Sequence, residues 1–182
     1  MKILIFSDSH GDYETMHSIT EKEIPDMIIH LGDGMAEAEQ LKTKHPDIEM
    51  ITCLGNKDPE HGDEELIKCM EVCGKRFVMT HGHTLISYTY IDETIGYKLT
   101  DENRLTGRNN MLDCIAENNA DILLHGHTHE PYVNCVSVAG RYCWIMNPGR
   151  VGCVEGAVHK PTYGILKINK TGTLEWQFAE AD

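Results

Sequence analysis

Met1-Lys2-Ile3-Leu4-Ile5-Phe6-Ser7-Asp8-Ser9-His10, followed at once by Gly11-Asp12, is the stretch that decides how this chain folds. Ile3 to Phe6 is an unbroken apolar run, the pattern of a strand buried on both faces, and it stops at a carboxylate and an imidazole two positions apart. Asp8 and His10 are therefore expected at the carboxyl end of a central strand. In open α/β sheets ligands bind at that edge, and an Asp-x-His pair there offers one hard oxygen and one nitrogen to the same ion. The alternative is that Asp8 opens a turn and His10 is a solvated loop residue. The choice rests on whether partners recur along the chain.

They do recur. Met27-Ile28-Ile29-His30-Leu31 reads as a second buried strand and closes on Gly32-Asp33-Gly34, a second carboxylate at a strand end. Ile48-Glu49-Met50-Ile51-Thr52-Cys53-Leu54 is a third strand, running into Gly55-Asn56-Lys57-Asp58 and a metal-competent amide. Leu66 to Val72 and Lys75 to Thr80 flank Cys73-Gly74, a hairpin whose glycine is expected to take the positive φ of the turn. Its second strand leads straight into His81-Gly82-His83, and Asp121-Ile122-Leu123-Leu124 is another buried strand that ends in His125-Gly126-His127-Thr128-His129.

Helices are expected over about Tyr13 to Lys22, with Asp12 as N-cap, over Met35 to Lys44, and over Asn109 to Asn119 by the Met111, Leu112, Ile115, Ala116 spacing. Residues 84–108 mix Tyr88, Tyr90 and Tyr97 with charges and glycines, and read as a helical excursion or a flap. The tail alternates short β-like segments, Tyr132 to Val138, Arg141 to Asn147, Tyr163 to Ile168 and Thr173 to Gln177, separated by glycine-bearing turns such as Asn147-Pro148-Gly149. Helix-linked strands first and meandering strands last predict an α/β fold of two sheets packed together with helices outside.

The chain's 182 residues suit one domain spanning residues 1–182. A formal charge of −13 makes the bare surface repulsive to long nucleic acid and to anionic membrane, so a bound phosphate needs a local positive source. No apolar run approaches membrane-spanning length and no basic, signal-like segment precedes the first strand, which points to a cytoplasmic protein. Cys53, Cys69, Cys73, Cys114, Cys135, Cys143 and Cys153 include no C-x-x-C pair, and most are expected to be reduced, buried thiols rather than metal ligands.

Asp-x-His, then Gly-Asp, Gly-Asn, His-Gly and Gly-His-x-His, in this order and each after an apolar strand, resembles the calcineurin-like metallophosphoesterase superfamily from residue 1 to about 150. The Asn147-Pro148-Gly149 turn looks like that of its small prokaryotic, YfcE-type phosphodiesterase branch. The resemblance implies a four-layer α/β/β/α sandwich of two mixed sheets holding two divalent ions. One ion would take Asp8, His10 and His129, the other Asn56, His81 and His127, with Asp33 bridging. Of these, Asp33, Asn56, His81 and His127 would position the attacking water and the phosphate. Two ions ~3.5–4 Å apart clamp phosphoryl oxygens and lower the pKa of a shared water enough to supply hydroxide near neutral pH. Two such ions, two carboxylates and one hydroxide leave a single positive charge, suited to a small phosphodiester monoanion. The mixed oxygen and nitrogen ligands exclude a calcium cage and fit manganese, iron, zinc, cobalt or nickel better than magnesium; of these, manganese is the expected ion.

The implied activity is hydrolysis of small phosphodiesters. Competing readings are a phosphomonoesterase, or a protein-contact scaffold of the same fold like a eukaryotic retromer subunit. His30 and His125 are read as buried supporting residues, and His83 as either a phosphate contact or a side chain turned away from the cleft. Asp12 and Asp58 are read as cap or turn residues that orient loops. His17, His45, His61 and His159 are read as solvated. Larger members of the superfamily carry a histidine directly after the Gly-Asn asparagine, where this chain has Lys57, so no general acid is legible. Residues 84–108 lie between two ligand-bearing turns and are expected to form a lid or the contact of a homo-oligomer.

Overall fold

The structure, a computed structural model, describes residues 1–59, 66–92, 96–153 and 160–181; His61 and His159 lie outside them. The chain runs β1 (Lys2–Phe6), α1 (Tyr13–Glu23), β2 (Met27–His30), α2 (Met35–Lys44), β3 (Glu49–Thr52), β4 (Ile67–Val72), β5 (Lys75–Thr80), β6 (Thr89–Asp92) and β7 (Gly96–Lys98). It continues through α3 (Asp101–Asn118), β8 (Ile122–Leu124), β9 (Tyr132–Val138), β10 (Arg141–Asn147), β11 (Thr162–Ile168) and β12 (Leu174–Glu180).

One sheet has the order β12-β11-β1-β2-β3 and the other β4-β5-β8-β10-β9. In the first, β1, β2 and β3 are parallel; in the second, β5, β8 and β10 are parallel, while the remaining neighbours pair antiparallel. Each parallel trio sends all its carboxyl ends to one edge, which is why loops far apart in sequence can meet there.

The apolar run of β1 divides by parity. Ile3 and Ile5 join Phe77, Met79, Ile122 and Leu124 between the two sheets, whereas Leu4 and Phe6 pack with Met16, Ile19 and Leu41 of α1 and α2. On the far side, Val78, Leu123 and Ile145 meet Met111, Cys114 and Ile115 of α3. The layers are thus helices, sheet, sheet, helix, the four-layer sandwich expected from the motifs. Each fully buried aliphatic side chain contributes about 1.5–3 kcal/mol of transfer free energy, which is why a strand buried on both faces reads as a near-continuous apolar run.

Several expectations need correcting. The third helix begins at Asp101, well before Asn109, because Thr100 forms a capping box: its hydroxyl accepts from the Asn103 N–H at 3.2 Å while Asn103 Oδ1 accepts from the Thr100 N–H at 3.0 Å. Its first turns carry little apolar periodicity, Leu105 being exposed, and Gly107 is there for contact, since a Cβ would stand 2.8 Å from Ile86 Cγ1. The described part of residues 84–108 holds strands β6 and β7, which pair antiparallel, and the start of α3. In the β4–β5 turn Cys73 shares the left-handed conformation with Gly74, φ 51° and 71°, as a two-residue type I′ hairpin requires. The cysteines are less buried than expected. Cys53, Cys114 and Cys143 are buried, but Cys69, Cys73, Cys135 and Cys153 lie exposed on the edge strands β4 and β9, a turn and a loop; all are free thiols. His17 and His45 are half-buried and face each other rather than bulk water. Among the described residues no helix is long and apolar enough to cross a membrane.

Candidate metal centre

The loops after β1, β2, β5 and β8 converge on Asp8 Oδ1. That oxygen stands 3.1 Å from His129 Nε2, 3.9 Å from His10 Nε2 and 3.9 Å from His81 Nε2. His10 Nε2 and His129 Nε2 are 3.4 Å apart, and His81 Nε2 lies 3.5 Å from Asp33 Oδ2 and 3.1 Å from Asn56 Oδ1. Two sets of donor atoms, each mutually within 4.8 Å, result: Asp8, His10 and His129, and Asp8, Asp33 and His81. His127 joins neither set. Its ring packs edge-on against His81 at 5.1 Å, with the Tyr88 ring against it, also at 5.1 Å. His83 lies beside them, its ring 5.5 Å from His81 and 6.3 Å from His127, with a buried Nδ1 that has no hydrogen-bond partner.

Each carboxylate has one oxygen tethered and the other turned inward. Asp8 Oδ2 accepts from Ser7 Oγ at 2.5 Å and the His127 N–H at 3.1 Å, leaving Oδ1 for the cluster; Asp33 Oδ1 accepts from the Lys57 N–H at 2.7 Å, leaving Oδ2. His81 Nδ1 donates to the Leu31 carbonyl at 2.8 Å, which directs the Nε2 lone pair at the carboxylates in the neutral ring. Lone pairs held face to face at 3–4 Å around the buried Asp8, Asp33 and His81 repel unless a cation or proton lies between them, so the donor set fits divalent metal.

The backbone is strained to achieve this. Asp8, His10, Asp33, His127 and His129 all take left-handed φ, between 45° and 65°, a conformation uncommon outside glycine and concentrated at functional sites. Two flanking glycines permit close approach: a Cβ on Gly55 would stand 2.1 Å from Asp33 Oδ1, and one on Gly126 would stand 1.8 Å from Ser7 Oγ.

Supporting residues complete the edge. Asn147 donates to the Gly126 carbonyl at 2.9 Å and Thr128 Oγ1 at 3.0 Å, and its Oδ1 accepts from the Gly149 N–H at 2.8 Å, so the Asn-Pro-Gly turn braces the His127–His129 loop. His125 is hydrogen-bonded to the Tyr132 hydroxyl, and His30 faces Ser9 Oγ at 3.2 Å; both are buried behind the cluster as expected. Ser7 and Tyr132 had no role in the sequence reading, and Tyr88 entered it only as one of the tyrosines of the 84–108 segment. Ser7 could have been noticed from its place between a buried strand and Asp8; the tyrosines have no such signal.

Electrostatics follows from these contacts. Burial raises the Asp33 carboxyl, but the hydrogen bond and field of His81 and the Lys57 N–H outweigh it and bring it to about 2; Asp8 is also lowered, burial being overcome by His129 and His81. His30, His125 and His127 are pushed down to about 4, chiefly by burial. A histidine with a depressed folded pKa binds fewer protons when folded than unfolded between its ordinary value of 6.5 and about 4, so stability falls as pH drops through that window. The loss belonging to Asp33 comes lower, from about pH 4 toward 2. The urea midpoint of chelator-treated protein is therefore expected to drop between pH 6.5 and 4.5, and to drop less in His30→Gln. An unchanged midpoint over that range would refute the assignment of these histidines as neutral.

Two mixed sheets with carboxylates and imidazoles gathered where their parallel strands end define a class, the metal-dependent phosphoesterases. The chain belongs to the calcineurin-like phosphoesterase superfamily, whose domain model matches residues 1–171. The resemblance read from the motifs is thereby borne out, and with it a family that binds divalent metal. A probable metallophosphoesterase of Mycoplasma genitalium, MG207, is 23% identical over 171 residues, covering 93% of this chain and 89% of that one. Among solved structures, a predicted phosphoesterase from Streptococcus pneumoniae superposes with a TM-score of 0.70 at 20% identity, covering 99% of this chain and 89% of that one. Yfce, a phosphoesterase from E. coli, superposes at 0.58 and 18% identity, and Entamoeba histolytica Vps29 complexed with zinc at 0.66 and 16%, each covering 100% of both chains. At these identities the structural neighbours speak to the fold.

Proposed function

We propose that this phosphoesterase is a cytoplasmic phosphodiesterase that hydrolyses small phosphodiesters at a dinuclear centre, with manganese as the working ion. The observation that carries the reading is the meeting of Asp8 Oδ1 with His10, His129 and His81, beside Asp33 Oδ2, at the edge where both sheets' parallel strands end. Asp8, His10 and His129 would hold one ion and Asn56, His81 and His127 the other, with Asp33 between them. Two divalent ions bound there supply Lewis acidity to the phosphoryl oxygens and a water acidic enough to ionise near neutral pH.

The chain's own residues set the geometry. Ser7 and the His127 N–H hold Asp8, the Lys57 N–H holds Asp33, and the Leu31 carbonyl fixes the His81 ring. His83, with its unpartnered Nδ1 beside His81 and His127, is assigned to a phosphate oxygen. Tyr88, just before β6, packs on His127 and sends its hydroxyl to the His127 carbonyl at 3.4 Å, tying the 84–108 segment to the cleft as a substrate-shaping lid. A centre of small net positive charge in a chain of −13 favours a monoanion over a dianion or a polyanion.

The test is kcat/KM for a nitrophenyl methyl phosphodiester against nitrophenyl phosphate after manganese reconstitution, a good leaving group being chosen because Lys57 stands where an acid would serve. The diester is expected to be favoured by about tenfold or more, a ~1.4 kcal/mol difference at the transition state. Parity or a monoester preference would exclude the diesterase reading, and no turnover with ions bound would favour the protein-contact scaffold. The same panel run on Tyr88→Ala should change relative rates among diesters; an unchanged profile removes the lid.

A further inference from the structure

A second group of metal-competent side chains lies on the helix layer, on residues that the centre above does not use. His17 and Glu21 are one turn apart on α1 and therefore share a face, and His45 closes the C-terminus of α2, which packs alongside. His17 Nδ1 stands 3.0 Å from His45 Nε2, and Glu21 Oε1 lies 3.6 Å from His45 Nδ1. One donor atom from each of the three falls within 4.8 Å of the others. Ligands of a single zinc-like ion at ~2.0–2.1 Å stand about 2.9–3.4 Å apart when 90–109° separates them, so the two nitrogens are already at ligand spacing. Glu21 Oε1 faces Nδ1, the His45 nitrogen turned away from an ion on Nε2, and reaches such an ion by swinging its exposed side chain round the ring.

The imidazoles are held, not loosely solvated. Tyr13 stacks on His17 one turn back, centroids 5.7 Å apart and planes 9° from parallel, and the two histidine rings lie 5.1 Å apart. Burial, with His17 and Lys44 against Glu21, keeps His45 below the ordinary imidazole range, so it offers a lone pair at neutral pH. Two imidazoles can share one hydrogen bond, and Glu21 beside His45 Nδ1 favours a proton there, leaving His45 Nε2 as the lone pair that faces His17 Nδ1; the same three side chains make a His-Glu-His donor set.

We propose that His17, Glu21 and His45 form a separate transition-metal site, taking zinc, copper(II), nickel or cobalt(II), that staples α1 to the end of α2. Two imidazoles disfavour magnesium and calcium, and solvent-open coordination positions leave the ion exchangeable. Because α1 follows the Asp8–His10 loop and α2 follows the Asp33 loop, the staple ties together the helices behind two ligand loops.

The experiment uses full-length protein, stripped with chelator and dialysed against micromolar Zn²⁺, with bound metal counted by mass spectrometry. His45→Ala and His17→Gln are each expected to bind one equivalent fewer than wild type, whatever number the main centre holds. Zinc added to chelated protein should raise the melting temperature less in either variant than in wild type. Cobalt absorption should show one set of d–d bands lost in both variants, and Glu21→Gln should weaken this site about tenfold without abolishing it. Equal stoichiometry in wild type and both variants, with melting temperatures of the chelated proteins alike, would overturn the site and leave a metal-free hydrogen bond. If only the main centre fails to load, the one-equivalent difference still decides the question independently.

Discussion

Asp33→Asn and His81→Ala, assayed on a nitrophenyl diester after manganese reconstitution, are each expected to lose at least two orders of magnitude in kcat. Both residues stand in the second donor set, where His81 Nε2 faces Asp33 Oδ2 at 3.5 Å and Asn56 Oδ1 at 3.1 Å. His81 is completely buried and its other nitrogen is committed to the Leu31 carbonyl, so no neighbouring side chain can take its place. Asn at position 33 keeps the shape and one carbonyl oxygen but removes the negative charge opposing the ions. A hundredfold loss corresponds to ~2.7 kcal/mol of transition-state stabilisation, modest beside the several kcal/mol attributed to a catalytic metal. Bound metal should fall in the same samples. Turnover within a few-fold of wild type in either variant would mean that one ion suffices, and the two-ion reading would fail.

How much of this was legible beforehand depended on whether a feature is local in sequence. Asp8, His10, Asp33, Asn56, His81, His127 and His129 could be picked out because each lies in a short glycine-bearing turn after an apolar strand, and strand periodicity is a local signal. What made those glycines necessary was not local: Gly55 yields to Asp33 and Gly126 to Ser7, contacts that exist only once two sheets meet. The left-handed backbone at five of the seven residues was equally invisible, since only glycine advertises that conformation. The start of α3 was missed because Thr100 and Asn103 form the cap with asparagine where glutamate or glutamine is the usual sign. His17 and His45 looked solvated because each has polar neighbours in sequence, and their partner lies across a helix pair. Cysteine burial failed for a related reason: apolar surroundings along the chain do not distinguish an edge strand from a central one.

Asp58 was read as a loop-orienting residue, and its geometry makes Asp58→Ala the substitution expected to cost most in stability. One oxygen accepts from the Asp33 and Gly55 N–H groups, each at 2.8 Å, and the other from Gly34 and Met35 at 2.8 and 2.9 Å. Gly34 is the N-cap of α2 and offers no side-chain oxygen, so Asp58 satisfies the first N–H groups of that helix from another loop and places a negative charge at its positive end. The same carboxylate joins the Asp33 loop to the Gly55-Asn56 loop. Hydrogen bonds to a charged acceptor contribute ~1.5–3 kcal/mol each, yet the four share one side chain that is only partly buried, and water can reach the freed donors; about 3 kcal/mol is the expected net loss. For a domain of this size that is a fall of roughly 6–12 °C in melting temperature. Asp58→Asn keeps one acceptor but turns an amide NH₂ toward two N–H donors, so it should lose nearly as much, which a simple size or packing effect would not produce. Because two ligand loops are released together, metal binding should weaken in both variants beyond what the fall in stability explains at 25 °C, where most molecules remain folded. Melting within 2 °C of wild type, or unaltered metal affinity in a variant that melts low, would show that these loops hold their places without Asp58.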